Sequence, residues 1–319
     1  MNFEIDDQQR DFASSIDAAL GAANVPAAVR AWGAGDVDPG RKVWATLADL
    51  GVTALAVAEE YDGIDAHPVD LVVAAERLGY WGVPGPVTES IAVAPILLAG
   101  DGRSADLASG ELIATVAMAP HAPRAVDADT AGVILVAGDG TVADGKAGEA
   151  HGSVDPARRL FDVSPTGDTR SADTARAFEL GALITAAQLV GAGQAMLDAS
   201  VAYAKQRSQF GRLIGSYQAI KHKLADVHIA VEMARPLVYG AALSLADGNA
   251  DTARDVSAAK AAASDAALLS ARSSLQTHGA IGFTQEHDLS LLLVRVQALR
   301  SAWGDPTWHR QRVLKELTA

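Results

Sequence analysis

From Ala172 to its end, the sequence is dominated by long, alanine-rich segments that are apolar on most faces. The first of them, TARAFELGALITAAQLVGAGQAMLDASVAYAKQ, is typical of a helix that is buried inside a bundle. Further helical segments follow at residues 216–248, 255–282, 288–304 and 307–317. Gly279 is expected to end the third long helix. Because small side chains let helices approach closely, these segments predict a four-helix bundle over residues 172–319.

The rest of the chain divides into two regions by pattern. Residues 1–104 carry apolar positions at helical spacing, as in DDQQRDFASSIDAALGAA and GRKVWATLADLG, and predict an N-terminal α-helical domain. Residues 105–171 contain the short apolar runs LIATVAMAP, TAGVILVAGDG and LFDVSP, which predict the strands of a reduced middle β domain. Within this region GDGTVADGKAGEAHG is expected to be a hairpin-rich surface stretch. The expected fold is therefore mainly α with a small β domain.

Composition and charge exclude several classes of site. A net charge of −13 argues against nucleic acid as the main partner, and the absence of cysteine excludes disulfides and thiolate metal sites. His222 and His228 lie six residues apart with no third ligand in view, so no metal site is expected. The start, MNFEIDDQQRDFASS, lacks a signal-peptide pattern, and no run approaches the roughly 18 apolar residues of a spanning helix. We therefore expect a cytoplasmic protein without a membrane span.

A basic window interrupts this acidic chain at residues 202–226, AYAKQRSQFGRLIGSYQAIKHKLAD. No acidic residue lies between Asp198 and Asp226. The cations of the window are Lys205, Arg207, Arg212, Lys221 and Lys223. Its centre, RSQFGRLIGS, joins the first two bundle helices, and Ser216 is expected to cap the second of them. A helix N-terminus, the free N–H groups of Gly211 and Gly215 and an arginine fork together predict an anion site of the phosphate-binding kind.

Two interpretations of the basic window remain open at this point. The cations can form a merely solvated surface, because basic runs are common. Phe210 favours a ligand site instead, since an aromatic residue in a polar turn needs a flat partner or a pocket. A second segment, QTHGAIGFTQEHD at residues 276–288, places Gly279 and Gly282 three residues apart after a helix, where the backbone can approach a ligand closely.

Taken together, the two segments resemble the C-terminal domain of the acyl-CoA dehydrogenase family. The stretch WATLADLGVTALAVAEEYDGID is similar to the family's N-terminal helical region with its Pro-Glu-Glu-Tyr-Gly-Gly-type turn, and SVDPARRLFDV is similar to its last middle-domain strand. The resemblance covers nearly the whole chain. It implies FAD at a subunit interface, a glutamate that removes the α-proton of an acyl-CoA, and transfer of the β-hydride to the flavin.

The resemblance also implies which residues of this chain contact FAD. Those expected to face the pyrophosphate are Arg207, Gln276 and the backbone of Gly279. Those expected beside the adenosine half are Gln209 and Phe210, with Gln218 close by. In this family the second subunit of a pair supplies these groups, so the resemblance implies half of a shared cofactor site.

The sequence departs from the family pattern at the flavin ring and at the base. ATVAMAPHAPRAVDADTAGVILVAGDG contains neither the Thr-Glu-Pro…Gly-Ser-Asp segment nor the Trp-Ile-Thr/Ser strand that cradles the ring. Trp303 stands where most relatives have the catalytic glutamate, and Gly181 stands where a subset has it. Glu179 and Asp305 remain as candidate bases, although Asp305 is also expected to cap a helix. Ala280 replaces the usual second glycine of the second segment.

A chain that lacks the ring cradle and the usual base but keeps the phosphate site resembles the FAD-completing, non-catalytic subunit of actinobacterial heterotetrameric (α2β2) steroid acyl-CoA dehydrogenases. The implied partners are a homologous companion subunit that supplies the base, an acyl-CoA such as a steroid side-chain thioester, and an electron-transfer flavoprotein. Two alternatives remain: a self-sufficient homo-oligomer that uses Glu179 or Asp305, and a scaffold that binds neither flavin nor substrate. Arg207 argues against the scaffold, and the missing cradle argues against the homo-oligomer.

Overall fold

The computed structural model describes residues 5–318, and the first part of that range is helical. The helices are α1 (Asp7–Ala22), α2 (Val25–Gly33), α3 (Asp38–Asp49), α4 (Pro68–Trp81), α5 (Ala94–Leu97) and α6 (Arg103–Ala108), with 3-10 turns at Val52–Ala54 and Glu59–Tyr61 and a π-helix at Glu89–Val93. Asp6 and Gln9 form a reciprocal capping box that fixes the start of α1. Ile16 and Leu20, four residues apart on α1, are fully buried and attach this helix to the core.

A five-stranded sheet follows the N-terminal helices. Its strands are β1 (Ala114–Met118), β2 (Ala125–Val126), β3 (Val133–Gly138), β4 (Thr141–His151) and β5 (Leu160–Ser171), in the spatial order β1-β3-β4-β5-β2. β1 and β3 are parallel, and the other neighbouring strands are antiparallel. The three apolar runs of the sequence form β1, β3 and the start of β5, as predicted.

The stretch expected to be hairpin-rich forms the turn and the second strand of a hairpin. β4 extends over Thr141–His151 and pairs with both β3 and β5, and only Asp139 and Gly140, at φ of 49° and 75°, form the turn before it. The predicted hairpin at the surface is confirmed: β4 is largely exposed and carries glycine and charged residues, so its pairing partners and not its own composition keep it extended.

The remaining residues form the predicted helical bundle. Its helices are α7 (Thr174–Gln206), α8 (Gln218–Ala246), α9 (Thr252–His278), α10 (Leu289–Ser301) and the short α11 (Pro306–Thr318). Ser270 of α9 donates a hydrogen bond to the carbonyl oxygen of Gly193 in α7 over 2.7 Å, which requires a close approach of the two helices. A Cβ atom at Gly191 would overlap the backbone of Glu76 in α4, so α7 packs equally tightly against the N-terminal helices. α7 is therefore the central helix of the molecule.

Two of these helices are long and apolar enough to cross a membrane on length and composition alone. In α7, 94% of the apolar window is buried inside the protein, which identifies it as a core helix. In α8 only 44% of the corresponding window is buried. The exposed part of α8 carries Ile229, Met233 and Leu237, at four-residue spacing and 59%, 67% and 44% exposed. This apolar stripe is therefore a surface without a partner within the described chain.

Candidate functional site

The basic window forms a small hairpin at the end of α7. Its strands are β6 (Ser208–Gln209) and β7 (Arg212–Leu213), and the two residues between them, Phe210 and Gly211, have φ of 52° and 79°. A two-residue turn with both φ values positive suits glycine but is unusual for a bulky residue such as phenylalanine. The Phe210 side chain is nevertheless 94% exposed. The backbone is thus held in an unfavourable region while it presents an aromatic ring to the outside.

The second segment lies at the same end of the bundle as the hairpin. Gly279 ends α9 with φ of 68°, as predicted. The rings of Tyr203 in α7 and His278 in α9 are stacked with their centroids 4.4 Å apart. The Lys223 ammonium of α8 donates a hydrogen bond to the side-chain oxygen of Gln276 in α9. The structure therefore brings together the C-terminal ends of α7 and α9 and the N-terminal end of α8.

The predicted cofactor residues are mostly exposed at this end. Arg207 is exposed and forms no ion pair with any residue of 5–318, although the chain is strongly acidic. The side chains of Gln209, Gln218 and Gln276 are also exposed. A Cβ atom added at Gly279 would meet nothing within 4 Å, so the backbone there is open to a ligand. An unpaired arginine beside open backbone and amide donors is an arrangement that fits a diphosphate.

One expected detail of the anion site is wrong. Ser216 does not cap α8: its hydroxyl donates to the carbonyl oxygen of Leu213 over 2.7 Å, and Tyr217 occupies the N-cap position without a side-chain cap bond. The chain enters α8 through a 3-10 turn, which draws the Ser216 hydroxyl back towards the hairpin. Gly215 serves packing, since a Cβ atom there would lie 2.8 Å from the carbonyl oxygen of Ala204.

The two positions expected for a catalytic base touch each other in the fold. Trp303 is fully buried, and its indole ring occupies the space above Gly181 that any side chain at residue 181 would need. Trp303 itself has a φ of 56°, in the left-handed region. An apolar ring thus fills the volume in which the resemblance leads us to expect a carboxylate.

Three buried polar groups hold Trp303 in this position. Its indole N–H donates to Glu89 Oε1 over 3.1 Å. Lys260, fully buried on α9, donates to the carbonyl oxygen of Gly304 over 3.2 Å, and burial together with the charge of Arg300 lowers the pKa of Lys260 to about 7. His309 Nε2 lies 2.9 Å from the carbonyl oxygen of Trp303. A carbonyl can only accept, so the ring proton is on Nε2.

The two remaining candidate bases are engaged in structural contacts. Glu179 is 9% exposed and pairs with Arg312, whose Nη1 lies 3.1 Å from Glu179 Oε2. Asp305 caps α11, because its Oδ1 accepts the backbone N–H of Thr307 over 2.7 Å and of Trp308 over 3.2 Å. These contacts join α11 to α7 and fix its start, and they leave neither carboxylate free of protein partners.

Sequence reasoning missed a buried pair of opposite charges beside Trp303. Glu89 and Arg158 are 2% and 4% exposed, and Arg158 Nη2 lies 3.9 Å from Glu89 Oε1. Both line a cavity of about 300 Å³. The available signal was an acidic residue inside the apolar run VTESIAVAPILL. No group of three His, Cys, Asp or Glu side chains within residues 5–318 could hold a metal ion.

Comparison with known proteins agrees with this architecture. Residues 6–103 match the N-terminal domain of acyl-CoA dehydrogenases, and residues 172–318 match the C-terminal domain. Acyl-CoA dehydrogenase IpdE2 of Mycolicibacterium smegmatis is 32% identical over 298 residues, which cover 92% of this chain and 93% of that protein.

Two solved structures have the same fold at lower sequence identity. The ChsE4-ChsE5 complex from Mycobacterium tuberculosis has a TM-score of 0.86 and 22% identity, with 100% of this chain and 99% of the other covered. A variant of the Tcur3481-Tcur3483 steroid ACAD has a TM-score of 0.86 and 19% identity, with 98% of each chain covered. The matched domains support FAD as the cofactor. The chain belongs to the acyl-CoA dehydrogenase family.

Proposed function

We propose that this chain is the FAD-completing subunit of a heteromeric acyl-CoA dehydrogenase. It contributes the pyrophosphate and adenosine half of an FAD site whose flavin ring and catalytic base belong to a homologous companion subunit in an α2β2 assembly. The reaction is the α,β-dehydrogenation of an acyl-CoA thioester, with a steroid side-chain thioester as the substrate and an electron-transfer flavoprotein as the acceptor. The assembly is cytoplasmic.

The filled base position carries this proposal. An acyl-CoA dehydrogenase needs a carboxylate that accepts the α-proton, and here an indole ring held by three polar groups occupies that volume. Glu179 is paired with Arg312, and Asp305 caps a helix. Without a free base, the residues of this chain that would hold FAD can serve only a site that obtains its base elsewhere.

The exposed end of the bundle supports a shared cofactor. The residues that would hold the FAD pyrophosphate are Arg207, Gln276 and the backbone of Gly279, and those beside the adenosine are Gln209, Phe210 and Gln218. Phe210 and Phe283 are 94% and 75% exposed. Large aromatic side chains with this much exposed surface are typical of a binding site for a cofactor or another subunit. When bound, FAD supplies the acceptor for the β-hydride.

The apolar stripe of α8 and the relatives support the companion subunit. Ile229, Met233 and Leu237 leave an unpartnered apolar surface on the same helix that starts beside the cofactor residues. A chain of the ChsE4-ChsE5 complex has this fold, and the Tcur3481-Tcur3483 protein is described as a steroid ACAD. The steroid substrate is proposed on this similarity.

The test is expression of the chain alone and together with a homologous acyl-CoA dehydrogenase of the same organism that carries the ring cradle and a glutamate base. We expect the isolated chain to be colourless, because it lacks the ring cradle, and the co-purified complex to be yellow with one FAD for each pair of unlike chains. A yellow and active protein from this chain alone would favour the self-sufficient homo-oligomer. A complex whose flavin content is unaffected by Arg207→Ala would favour the scaffold.

A further inference from the structure

A cavity of about 300 Å³ lies between loops of the β domain, the π-helix at Glu89–Val93 and α10. Its walls are mixed: an apolar part includes Val126 and Leu160, and the rest is polar. Three charged side chains line it, of which Arg124 is exposed whereas Glu89 and Arg158 are almost fully buried. π-helical turns occur frequently at functional sites, and this one supplies Glu89.

Neither of the two buried charges is fully satisfied by protein groups. Glu89 Oε1 accepts the indole N–H of Trp303, whereas the buried Oε2 has no hydrogen-bond partner in the described part of the chain. The Arg158 guanidinium approaches Glu89 only to 3.9 Å and donates no side-chain hydrogen bond within residues 5–318. Buried polar groups are nearly always hydrogen-bonded to protein, water or ligand. An unused acceptor and an unused donor side by side in one cavity indicate a bound group that satisfies both.

We propose that this cavity binds an apolar molecule that carries a hydroxyl group. A hydroxyl both donates, here to Glu89, and accepts, here from Arg158. A carbonyl group can only accept, so it would leave the Glu89 carboxylate without a partner, which is costly in a buried site. The apolar remainder of the ligand matches the apolar part of the wall at Val126 and Leu160. The cavity shares no lining residue with the hairpin assigned to FAD, although Trp303, at the filled base position, forms part of its wall.

Two matched probes test this assignment. 2-Decalol is a bicyclic alcohol, and 2-decalone is the ketone of the same skeleton. In calorimetric titrations of the full chain, alone and in the complex with its companion, we expect the alcohol to bind about 10- to 100-fold more tightly than the ketone. Equal affinities would overturn the proposal. Absence of binding by the alcohol would also overturn it and would indicate that ordered water forms the hydrogen bonds to Glu89 and Arg158.

Glu89→Gln gives a sharper test, because it replaces one carboxylate oxygen, an acceptor, by an amide NH2 group, a donor, at nearly constant side-chain size. The amide oxygen can still accept from Trp303, while the amide nitrogen would favour an acceptor in the ligand. The preference for the alcohol should therefore disappear or reverse. Glu111→Gln makes the same charge change at an exposed residue outside the cavity and should keep the preference. A preference that survives Glu89→Gln contradicts the proposal, and if that variant does not fold, the two titrations of the unmodified chain still decide.

Discussion

The indole ring of Trp303 lies directly against Gly181, so that a methyl group at residue 181 would overlap it. The two residues belong to different parts of the bundle, the middle of the turn after α10 and the first third of α7. By resemblance they are the two positions at which the family places its catalytic glutamate. Their contact means that Trp303 and a larger residue at position 181 exclude each other, because the tryptophan ring needs the glycine beside it.

Gly181→Ala should destabilise the protein although alanine favours helices. The added methyl group has no space unless Trp303 moves, and overpacking of a core typically costs about 1–3 kcal/mol. Urea unfolding of the two proteins measures the difference. Gly193→Ala in the same helix is the matched control, because the nearest atom to its Cβ would be a flexible Val231 methyl at 3.3 Å. Equal stabilities of the two variants would contradict the contact.

A double variant separates the contact from a general effect on α7. Trp303→Leu provides room above residue 181 but leaves a cavity and removes the hydrogen bond to Glu89. If the clash is the cause, Gly181→Ala combined with Trp303→Leu should lose less stability than the sum of the single changes. Strict additivity in urea unfolding would place the two effects at independent sites.

Arg207→Ala should weaken FAD retention by the complex while its assembly stays intact. A charge-assisted hydrogen bond to a phosphate contributes about 1.5–3 kcal/mol, which corresponds to an affinity loss of about 10- to 150-fold. Since Arg207 has no ion-pair partner in the described chain, its removal breaks no internal ion pair. Flavin content after gel filtration is the measurement.

Lys42→Ala is the control for Arg207→Ala. It removes the same charge from an exposed position on α3, far along the chain from the hairpin, and should leave the flavin content unchanged. A parallel loss in both variants would indicate a general electrostatic attraction. No loss in Arg207→Ala would make Arg207 an ordinary surface charge.

The sequence was sufficient for features that depend on local pattern. Apolar periodicity predicted the long helices, and short apolar runs predicted β1, β3 and β5. Gly279 ends α9 because the chain there needs a positive φ that glycine adopts easily. The helices and the turn at Gly279 could thus be predicted from sequence motifs alone.

Features that depend on contacts between distant residues could not be predicted in this way. Glu89 and Trp303 are far apart in the sequence, so no local pattern predicts the hydrogen bond from the Trp303 indole to the Glu89 carboxylate. β4 is held by its two neighbours, and the pairing of Glu179 with Arg312 requires the packing of α11 on the bundle. Only the folded chain brings these groups together.

The dependence of stability on pH should contain a contribution from His309. Burial, followed by the charge of Lys260, lowers the pKa of His309 to about 3, whereas an unfolded histidine titrates near 6.5. Between these values the unfolded chain binds a proton that the folded chain does not bind. The free energy of unfolding should therefore fall as the pH decreases from about 6.5 towards 3.

His309→Gln tests this contribution. Glutamine can donate to the carbonyl oxygen of Trp303 but does not titrate, so the decline in stability between about pH 6.5 and 3 should be shallower than in the unmodified protein. His222→Gln, at an exposed histidine of α8, is the control and should leave the slope unchanged. Identical slopes for all three proteins would show that His309 is protonated equally in the folded and unfolded states.

Glu179→Gln and Asp305→Asn should leave the turnover of the complex within a few-fold of the unmodified enzyme. If either carboxylate were the base, its amide could not accept the α-proton, and loss of a general base typically costs about 10²- to 10⁴-fold. Both changes should instead lower stability. Glu179→Gln breaks the ion pair with Arg312, and Asp305→Asn weakens the cap of α11, a loss of about 1 kcal/mol or less.

The two effects separate when turnover is expressed per bound flavin, because that ratio discounts unfolded or flavin-free material. Burial raises the pKa of Asp305, but the hydrogen bonds from the backbone N–H groups of Trp308 and Thr307 outweigh it and lower that pKa. The stabilising effect of Asp305 is therefore present near neutral pH and is lost as the pH falls through the lowered pKa. Asp305→Asn should thus differ most from the unmodified complex in stability at neutral pH. A collapse of turnover per flavin in either variant would move catalysis onto this chain and replace the shared site by a self-sufficient one.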